Sequence, residues 1–314
     1  MTDSLTKFIF DGATVRGELV ELTNTWQQVL QHHDYPPPVR NLLGELCSAA
    51  ALLFANLKFE GTMVMQIHGD GPIRLLVVEC NHQLQIRAMA KLTGAAIDDS
   101  AELQSLINAE GHGRFIITLD PADKSAGQQP YQGIVPISGD SIATIIENYM
   151  HQSEQLDTRL WLASDNQVSR GMLLQRLPYF GGTLADDNPG SEQEASEHAQ
   201  HAWERSTILG NTLKRDELLA TDVATLMHRL FWEETLRVFD QQTIHFHCSC
   251  NRDKVGNMLV MLGREEINDA LAATGQLDIN CDFCGKPYSF DAVDCAELFT
   301  APENRLPADH IRKH

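Results

Sequence analysis

Basic residues are scarce in this sequence. Its 314 residues include 24 Lys and Arg against 43 Asp and Glu, which gives a formal net charge of −19. A chain this acidic repels phosphate backbones and anionic lipid surfaces, so neither nucleic acid nor a membrane is an expected partner. Long apolar runs are also missing, because no stretch approaches the roughly 18 consecutive apolar residues of a membrane-spanning helix.

A secretory signal is absent from residues 1–10, which have no basic segment followed by an apolar core and a small-residue cleavage site. The sequence therefore predicts a cytoplasmic protein. In that reducing compartment the seven cysteines are expected to persist as thiols or metal thiolates. The apolar fraction of 43% is typical of a globular protein, and the length allows one large or two ordinary domains.

Four of the cysteines form two tight pairs near the C-terminus. Cys248 and Cys250 are separated by one residue, and Cys281 and Cys284 by two. Two short loops that each present two sulfurs predict one tetrahedral Zn²⁺ site per chain, with sulfur ligands at about 2.3 Å. The one-residue gap of the first pair is unusual, because the ligands of structural zinc sites are commonly spaced by two to four residues.

The two histidines before the first pair and the three cysteines outside the pairs are not expected to bind the metal. His245 and His247 precede the first pair, but four cysteines already complete a tetrahedral site, so the histidines are not expected to bind the metal. Cys47 and Cys80 are predicted to be inert packing residues. Cys295 follows the second pair and could compete with it in disulfide exchange.

Residues 1–180 are predicted to form an α+β domain. Met63, Met65 and Ile67 alternate with polar residues and predict a strand at 62–68; a Gly-rich turn then leads into a second strand at 73–78, completing a hairpin. Helices are predicted at 39–57 and after Gly139-Asp140, where Asp140 can cap the helix, and further short strands at 15–22, 84–88, 115–119, 133–137, 159–163 and 172–177. Local pairing of strands favours α+β over a doubly wound sheet.

Residues 181–240 are predicted to form an acidic linker that becomes helical. The segment 185–205 has six acids against one base, which predicts a solvated, flexible chain. From Thr221 the apolar residues follow helical spacing, with Thr221 or Asp222 as the cap, and a helix this short must pack on another surface to cover its apolar stripe. The stripe consists of Val223, Leu226, Met227, Leu230 and Phe231.

Residues 241–300 are predicted to form the zinc domain, followed by a tail at 301–314. Its expected core is Phe246, Leu259, Met261, Leu262, Ile267 and Leu271. A core of this size cannot stabilise the domain alone. Most of the stability should therefore come from the metal, which contributes about 10 to 16 kcal/mol in small zinc peptides.

The thiolates of such a site remain oxidisable although Zn²⁺ itself is redox-inert. Each pair is close enough in sequence to form its own disulfide, Cys248 with Cys250 and Cys281 with Cys284, once one sulfur is oxidised. A permanent zinc site that only holds the C-terminus together is the alternative. The spacing alone leaves both open.

Several motifs carry a resemblance over nearly the full length. The chain resembles the redox-regulated bacterial holdases, the thirty-three-kilodalton heat-shock protein family. The motifs are Val15-Arg16-Gly17-Glu18-Leu19-Val20, Leu57-Lys58-Phe59, Gly69-Asp70-Gly71-Pro72, Tyr131-Gln132-Gly133, Ser153-Glu154-Gln155-Leu156 with Thr158-Arg159-Leu160, Gly171-Met172-Leu173-Leu174-Gln175, Cys248-Ser249-Cys250 and Cys281-Asp282-Phe283-Cys284-Gly285.

The resemblance implies a cytoplasmic chaperone that is zinc-bound and inactive when reduced. Oxidation would convert the four ligands into the two disulfides, the metal would leave, and the zinc domain and linker would unfold. The resemblance further implies that the protein then forms a homodimer and binds unfolding client proteins. The stripe of the linker helix is the candidate client-binding surface, because unfolding would expose it.

Two other functions are weighed against this one. A constitutive zinc ribbon that binds nucleic acid or protein would need no switch, but residues 245–295 contain four bases and eight acids, which argues against nucleic acid. A zinc enzyme usually keeps one coordination position open, and four cysteines leave none. No enzymatic activity is therefore expected.

Overall fold

The computed structural model describes residues 3–11, 14–123, 129–178 and 189–300. The chain divides into two units, Met1–His247 and Cys248–His314. No helix in the described ranges is both long and apolar enough to cross a membrane. The predicted tail at 301–314 and the predicted boundary at 180 lie outside the described residues.

The described residues form strands and helices in mixed order. The strands are β1 (Ser4–Phe10), β2 (Val15–Leu22), β3 (Gly61–His68), β4 (Ile73–Asn81), β5 (Gln85–Leu92), β6 (Arg114–Pro121), β7 (Tyr131–Pro136), β8 (Thr158–Ser164), β9 (Ser169–Arg176), β10 (Leu236–Val238), β11 (Gln242–Thr243), β12 (His245–Phe246), β13 (Leu277–Asn280) and β14 (Pro287–Phe290). The helices are α1 (Asn24–Leu30), α2 (Pro37–Phe54), α3 (Leu103–Ile107), α4 (Ile142–Ser153), α5 (Pro189–Gly210), α6 (Arg215–Ala220), α7 (Val223–Phe231), α8 (Arg252–Leu262), α9 (Arg264–Thr274) and α10 (Ala292–Leu298).

Two sheets make up most of the N-terminal unit. Sheet 1 has the order β10-β1-β2-β9-β8, with β11 also paired to β1, and sheet 2 has the order β12-β5-β4-β3-β6-β7. Neighbouring strands are antiparallel except for the short β12, which runs parallel to β5. The predicted hairpin is confirmed as β3 and β4, with Met65 opposite Val78. Together with the helices, these local antiparallel pairings confirm the predicted α+β class.

Helix α2 is the centre of the core because it contacts strands of both sheets. Proline in its first turn suits a position whose N–H has no helical partner. Leu43 and Leu46 on its apolar stripe are fully buried and pack in one cluster with Met65 of sheet 2 and Leu173 of sheet 1. The helix predicted at 39–57 is thus confirmed, with bounds shifted by two or three residues.

Several elements of this unit were not predicted, among them β1, α1 and α3. The start of α1 is capped from a distance, because the carboxylate of Asp3 accepts hydrogen bonds from the backbone N–H groups of Thr23, Asn24 and Thr25 at 2.6, 2.8 and 2.5 Å. A local pattern cannot reveal a cap that lies about twenty residues away. The prediction of Asp140 as the cap of α4 was wrong: the hydroxyl of Ser141 accepts from the Thr144 N–H at 3.1 Å.

A layer of three helices, α5, α6 and α7, packs on the outer face of sheet 1. The segment predicted as solvated linker is helix α5 from residue 189 onward. Ala199, Ala202 and Ser206 are buried, and Arg205 forms an ion pair with Glu234 at 2.6 Å. Small residues on the buried face permit close packing while Glu197 and Glu204 are exposed, so the low apolar content of this segment misled the prediction.

The stripe of α7 is covered by aromatic residues of β1. Phe231 lies with its ring centroid 5.7 Å from that of Phe8 and 5.1 Å from that of Phe10. Leu226, Met227, Leu230 and Phe231 are buried and Val223 is partly buried in this cluster, and the Asp222 side chain caps the helix. The surface that covers the stripe therefore belongs to the N-terminal unit.

The C-terminal unit has a small core beneath the hairpin of β13 and β14. Its buried members are Leu259, Ile267, Tyr288, Phe290 and Cys295. Three residues of the predicted core lie elsewhere. Met261 and Leu262 are exposed, because they occupy the outer face of α8, and Phe246 packs in the N-terminal unit, because β12 pairs with β5. The predicted domain boundary at 240 stays a prediction.

Candidate metal centre

The four paired cysteines meet in the C-terminal unit. Their sulfurs all lie within 4.8 Å of one another. The Sγ atoms of Cys248 and Cys281 are 3.7 Å apart, and those of Cys250 and Cys284 are 3.4 Å apart. Four sulfurs placed at about 2.3 Å around a tetrahedral ion would be about 3.8 Å apart, so the group fits a metal ion. His245 and His247 are not part of it.

The first pair precedes helix α8. Asn251 caps this helix, since its side-chain oxygen accepts a hydrogen bond from the Lys254 N–H at 2.8 Å. The N-terminus of a helix carries a partial positive charge, which favours thiolate over thiol. The Nζ atom of Lys254 also donates to the Ser249 hydroxyl at 3.1 Å, which places a cation beside the loop that holds Cys248 and Cys250.

The second pair lies in the turn between β13 and β14. The Cys281 N–H donates to the Lys286 carbonyl at 3.0 Å, and the Gly285 N–H donates to the Cys281 carbonyl at 2.8 Å. Gly285 has φ +66°, in the left-handed region that favours glycine. The turn therefore holds Cys281 and Cys284 close together in one loop, where their sulfurs belong to the same group.

The thiols of the group differ in acidity. Burial raises the pKa of Cys250, but the hydrogen bonds from Tyr288 and the neighbouring thiols outweigh it and lower the pKa to about 7. Burial raises the pKa of Cys281, and it raises that of Cys284 to about 12. Without a metal, Cys250 is therefore more readily ionised than Cys281 or Cys284; a bound cation would favour the thiolate form of all the ligands.

The remaining cysteines lie outside the group. Cys47 and Cys80 are buried in the N-terminal core, where burial raises the pKa of each thiol, in agreement with the predicted packing role. Cys295 is 2% exposed, and burial also raises its pKa. Its burial argues against the exchange reaction that its sequence position suggested, because disulfide exchange requires an accessible thiolate.

Tyr288 is a residue of the site that the sequence analysis missed. Its hydroxyl donates a hydrogen bond to the Cys250 sulfur at 3.1 Å, while its ring is buried in the small core. The hydrogen bond to Cys250 raises the pKa of the phenol, as expected for a donor to a sulfur with anionic character. The alternation of Tyr288 and Phe290 with polar residues was the available signal, because it places both side chains inward.

The substitution Tyr288→Phe is expected to weaken metal binding by about tenfold to a hundredfold without unfolding the unit, the usual range for loss of a hydrogen bond to a ligand. The ring keeps its packing, and only the donor to Cys250 is lost. Competition with a chelator of known affinity measures the change. Tyr131→Phe is the matched control, because that hydroxyl bonds to Glu154 in the other unit. Equal metal affinity of Tyr288→Phe and the unmodified protein would show that this hydrogen bond has no influence.

Comparison with known proteins places the whole chain in one family. The family model described as Hsp33 protein matches residues 3–291. The chain belongs to the Hsp33 family. It is 46% identical over 313 residues to the 33 kDa chaperonin of Methylobacillus flagellatus, with 99% of both chains covered. It is also 46% identical over 298 residues to the 33 kDa chaperonin of Chromobacterium violaceum, covering 95% of this chain and 94% of that one.

The Hsp33 fold is shown by a solved structure as well. The crystal structure of the 33 kDa chaperonin from Thermotoga maritima, a heat shock protein 33 homologue, matches with a TM-score of 0.74 at 21% identity. The match covers 95% of this chain and 98% of the other. Membership in the Hsp33 family assigns this chain a chaperone function, which confirms the resemblance stated on its motifs.

Proposed function

We propose that this chain is a redox-regulated holdase that binds unfolding proteins and prevents their aggregation under oxidative stress. The observation that carries the proposal is the meeting of four cysteine sulfurs on two local loops of a unit with a small core. In the reduced state Cys248, Cys250, Cys281 and Cys284 hold one Zn²⁺. Bound to four thiolates, Zn²⁺ supplies a crosslink of about 10 to 16 kcal/mol, comparable with the whole stability of a typical domain.

Oxidation acts on the sulfurs. In each pair, two thiolates give up two electrons to one peroxide molecule, which takes up two protons and is reduced to water, and an S–S bond forms. We propose the pairs Cys248 with Cys250 and Cys281 with Cys284, each within one loop. The sulfur distances do not select this pairing. The contacts at 3.7 Å between Cys248 and Cys281 and at 3.4 Å between Cys250 and Cys284 each join the two loops. Once oxidised, none of the four remains a thiolate ligand, so the C-terminal unit loses its crosslink.

The client-binding surface is proposed to be the stripe of α7. In the reduced protein four of its five residues are buried in the cluster that contains Phe8 and Phe10 of β1, and Val223 is partly buried. The segment that joins α7 to Cys248 pairs with the sheets through three short strands, β10 with three residues and β11 and β12 with two each. Unfolding of the C-terminal unit would remove the folded anchor that follows β12 and favour release of this segment, exposing Val223, Leu226, Met227, Leu230 and Phe231.

The active form is a homodimer in the cytoplasm whose partners are unfolded or partly unfolded proteins, and it acts neither on nucleic acid nor on membranes. The net charge of −19 is consistent with these partners. It keeps a complex with an aggregation-prone client soluble, and it repels polyanions. No enzymatic turnover is proposed, since four sulfur ligands leave no open position on the metal.

Peroxide-treated protein is expected to suppress the aggregation of a heat-unfolded client severalfold better than reduced, zinc-loaded protein. Light scattering measures suppression, and zinc release, thiol counts and mass-spectrometric disulfide mapping follow the switch. Protein oxidised and then re-reduced with zinc present is the control, because it returns the starting state. Equal suppression by the reduced and oxidised forms would remove the switch, and a disulfide between the loops would overturn the pairing.

A further inference from the structure

A cavity of about 370 Å³ lies in the N-terminal unit beside the end of α2. Its lining residues come from both sheets, the end of α2 and α4, and none comes from the metal centre or from α5, α6 and α7. Most of the wall is apolar, formed by Leu53, Met63, Ile117, Leu119, Met150 and Leu156. A concave, mainly apolar cavity of this size with a few convergent polar groups is the usual form of a small-molecule site.

The guanidinium group of Arg16 is the cation of this cavity. It donates two hydrogen bonds to the Gln175 side-chain oxygen, one of them at 3.1 Å from Nε. Gln175 is itself 1% exposed and donates from Nε2 to the Thr158 hydroxyl at 2.8 Å, so its carbonyl oxygen is held toward Arg16. This partner is neutral. The arginine thus has an oriented hydrogen bond but receives no charge compensation from it.

The nearest acid compensates Arg16 only weakly. Glu18 follows it on the same face of β2 and is 1% exposed, and burial raises the pKa of Glu18 to about 8. Lys7 lies 4.0 Å from Glu18 and adds a second cation to the same region. The local charge is therefore positive, which favours an anionic group in the cavity.

Glu154, an acid in the cavity lining, already has hydrogen-bond partners. The carboxylate of Glu154 accepts hydrogen bonds from the hydroxyl groups of Tyr131 at 3.2 Å and Tyr149 at 2.9 Å. Gly133 allows this arrangement, because a Cβ atom there would lie 2.6 Å from the Tyr149 hydroxyl oxygen. Glu154 thus holds two tyrosines in the wall and does not supply a counter-ion to Arg16, with which it forms no ion pair among the described residues.

We propose that this cavity binds a small amphipathic carboxylate, with the carboxylate on the Arg16 guanidinium and the hydrocarbon chain along the apolar wall. At about 30 Å³ for each non-hydrogen atom, the share of one molecule in liquid water, 370 Å³ holds about twelve such atoms. A straight-chain acid of ten carbons has that number. Guanidinium suits the head group, because its planar donors match a carboxylate in a bidentate hydrogen bond.

The test is titration of decanoate into the full-length, reduced, zinc-loaded protein, followed by calorimetry and by the shift in melting temperature. We expect saturable binding of one decanoate, with 1-decanol binding at least about tenfold more weakly, since it lacks the charge-assisted hydrogen bond. Arg16→Gln should weaken decanoate binding by a similar factor. Arg159→Gln is the matched control, because Arg159 pairs with Glu147 on the surface, and it should bind as the unmodified protein does.

Leu119→Trp tests the apolar wall independently of Arg16, because the larger side chain occupies the cavity, and it should abolish decanoate binding. Its melting temperature without ligand shows whether the variant is folded, and the comparison of decanoate with decanol on the unmodified protein needs no variant. Absence of binding, equal affinity for decanoate and decanol, or full binding by folded Leu119→Trp would each overturn the proposal. None of these results depends on the metal centre, so the proposed redox function would be unaffected.

Discussion

Replacing Cys281 by serine is expected to unfold the C-terminal unit while the N-terminal unit stays folded. The group of four sulfurs would lose one of its ligands, and with it most of the roughly 10 to 16 kcal/mol that a structural zinc site contributes. A core of five buried residues cannot replace that contribution. Hydrogen exchange should show loss of protection throughout residues 248–300, and elemental analysis should show little bound zinc.

Cys295→Ser is the matched control for this experiment. It is the same substitution in the same unit, but Cys295 lies in the core rather than in the group of four. A buried hydroxyl without a partner costs about 1 to 3 kcal/mol, far less than loss of the metal. The control should therefore keep one zinc ion and most of its exchange protection. If Cys281→Ser kept its metal and its protection, the metal would not be what stabilises this unit.

Replacing Phe231 by alanine is expected to loosen the layer of α5, α6 and α7 and to make the reduced protein bind clients. Phe231 is 2% exposed and packs between Phe8 and Phe10, and truncation of such a residue typically costs about 3 to 5 kcal/mol. That is enough to shift a short helix whose stability depends on packing toward an open state. Hydrogen exchange in residues 189–240 should accelerate, and aggregation suppression should appear without oxidant.

Trp232→Ala is the matched control for Phe231→Ala, because Trp232 is the next residue, at the C-terminal end of α7. The neighbouring Trp232 side chain is 69% exposed, so its truncation removes a larger aromatic group at little cost in stability. Exchange in the Trp232→Ala protein should match that of the unmodified protein. Faster exchange in Phe231→Ala without any gain in client binding would contradict the stripe of α7 as the client surface, whereas unchanged exchange would contradict its role in holding the layer closed.

Patterns local in sequence allowed much of the fold to be predicted. The alternation in β3 and the stripe of α2 each reflect a face buried along one element, so they are visible in a few adjacent residues. The two cysteine pairs are also local, since each pair occupies one loop. The helical character of α5 could not be predicted in this way, because Ala199, Ala202 and Ser206 on its buried face are small and give little hydrophobic signal.

The sequence by itself determined the α+β class, the four metal-ligand candidates and the apolar stripe of α7. Only the tertiary structure decided that Phe8 and Phe10 cover this stripe, that Tyr288 bonds to the Cys250 sulfur and that Arg16 lies at a cavity lined by both sheets. The reason is physical: spacing along the chain reports which face of an element is buried, but not which distant residues cover it. Those contacts follow from how the strands pair and how the helices pack.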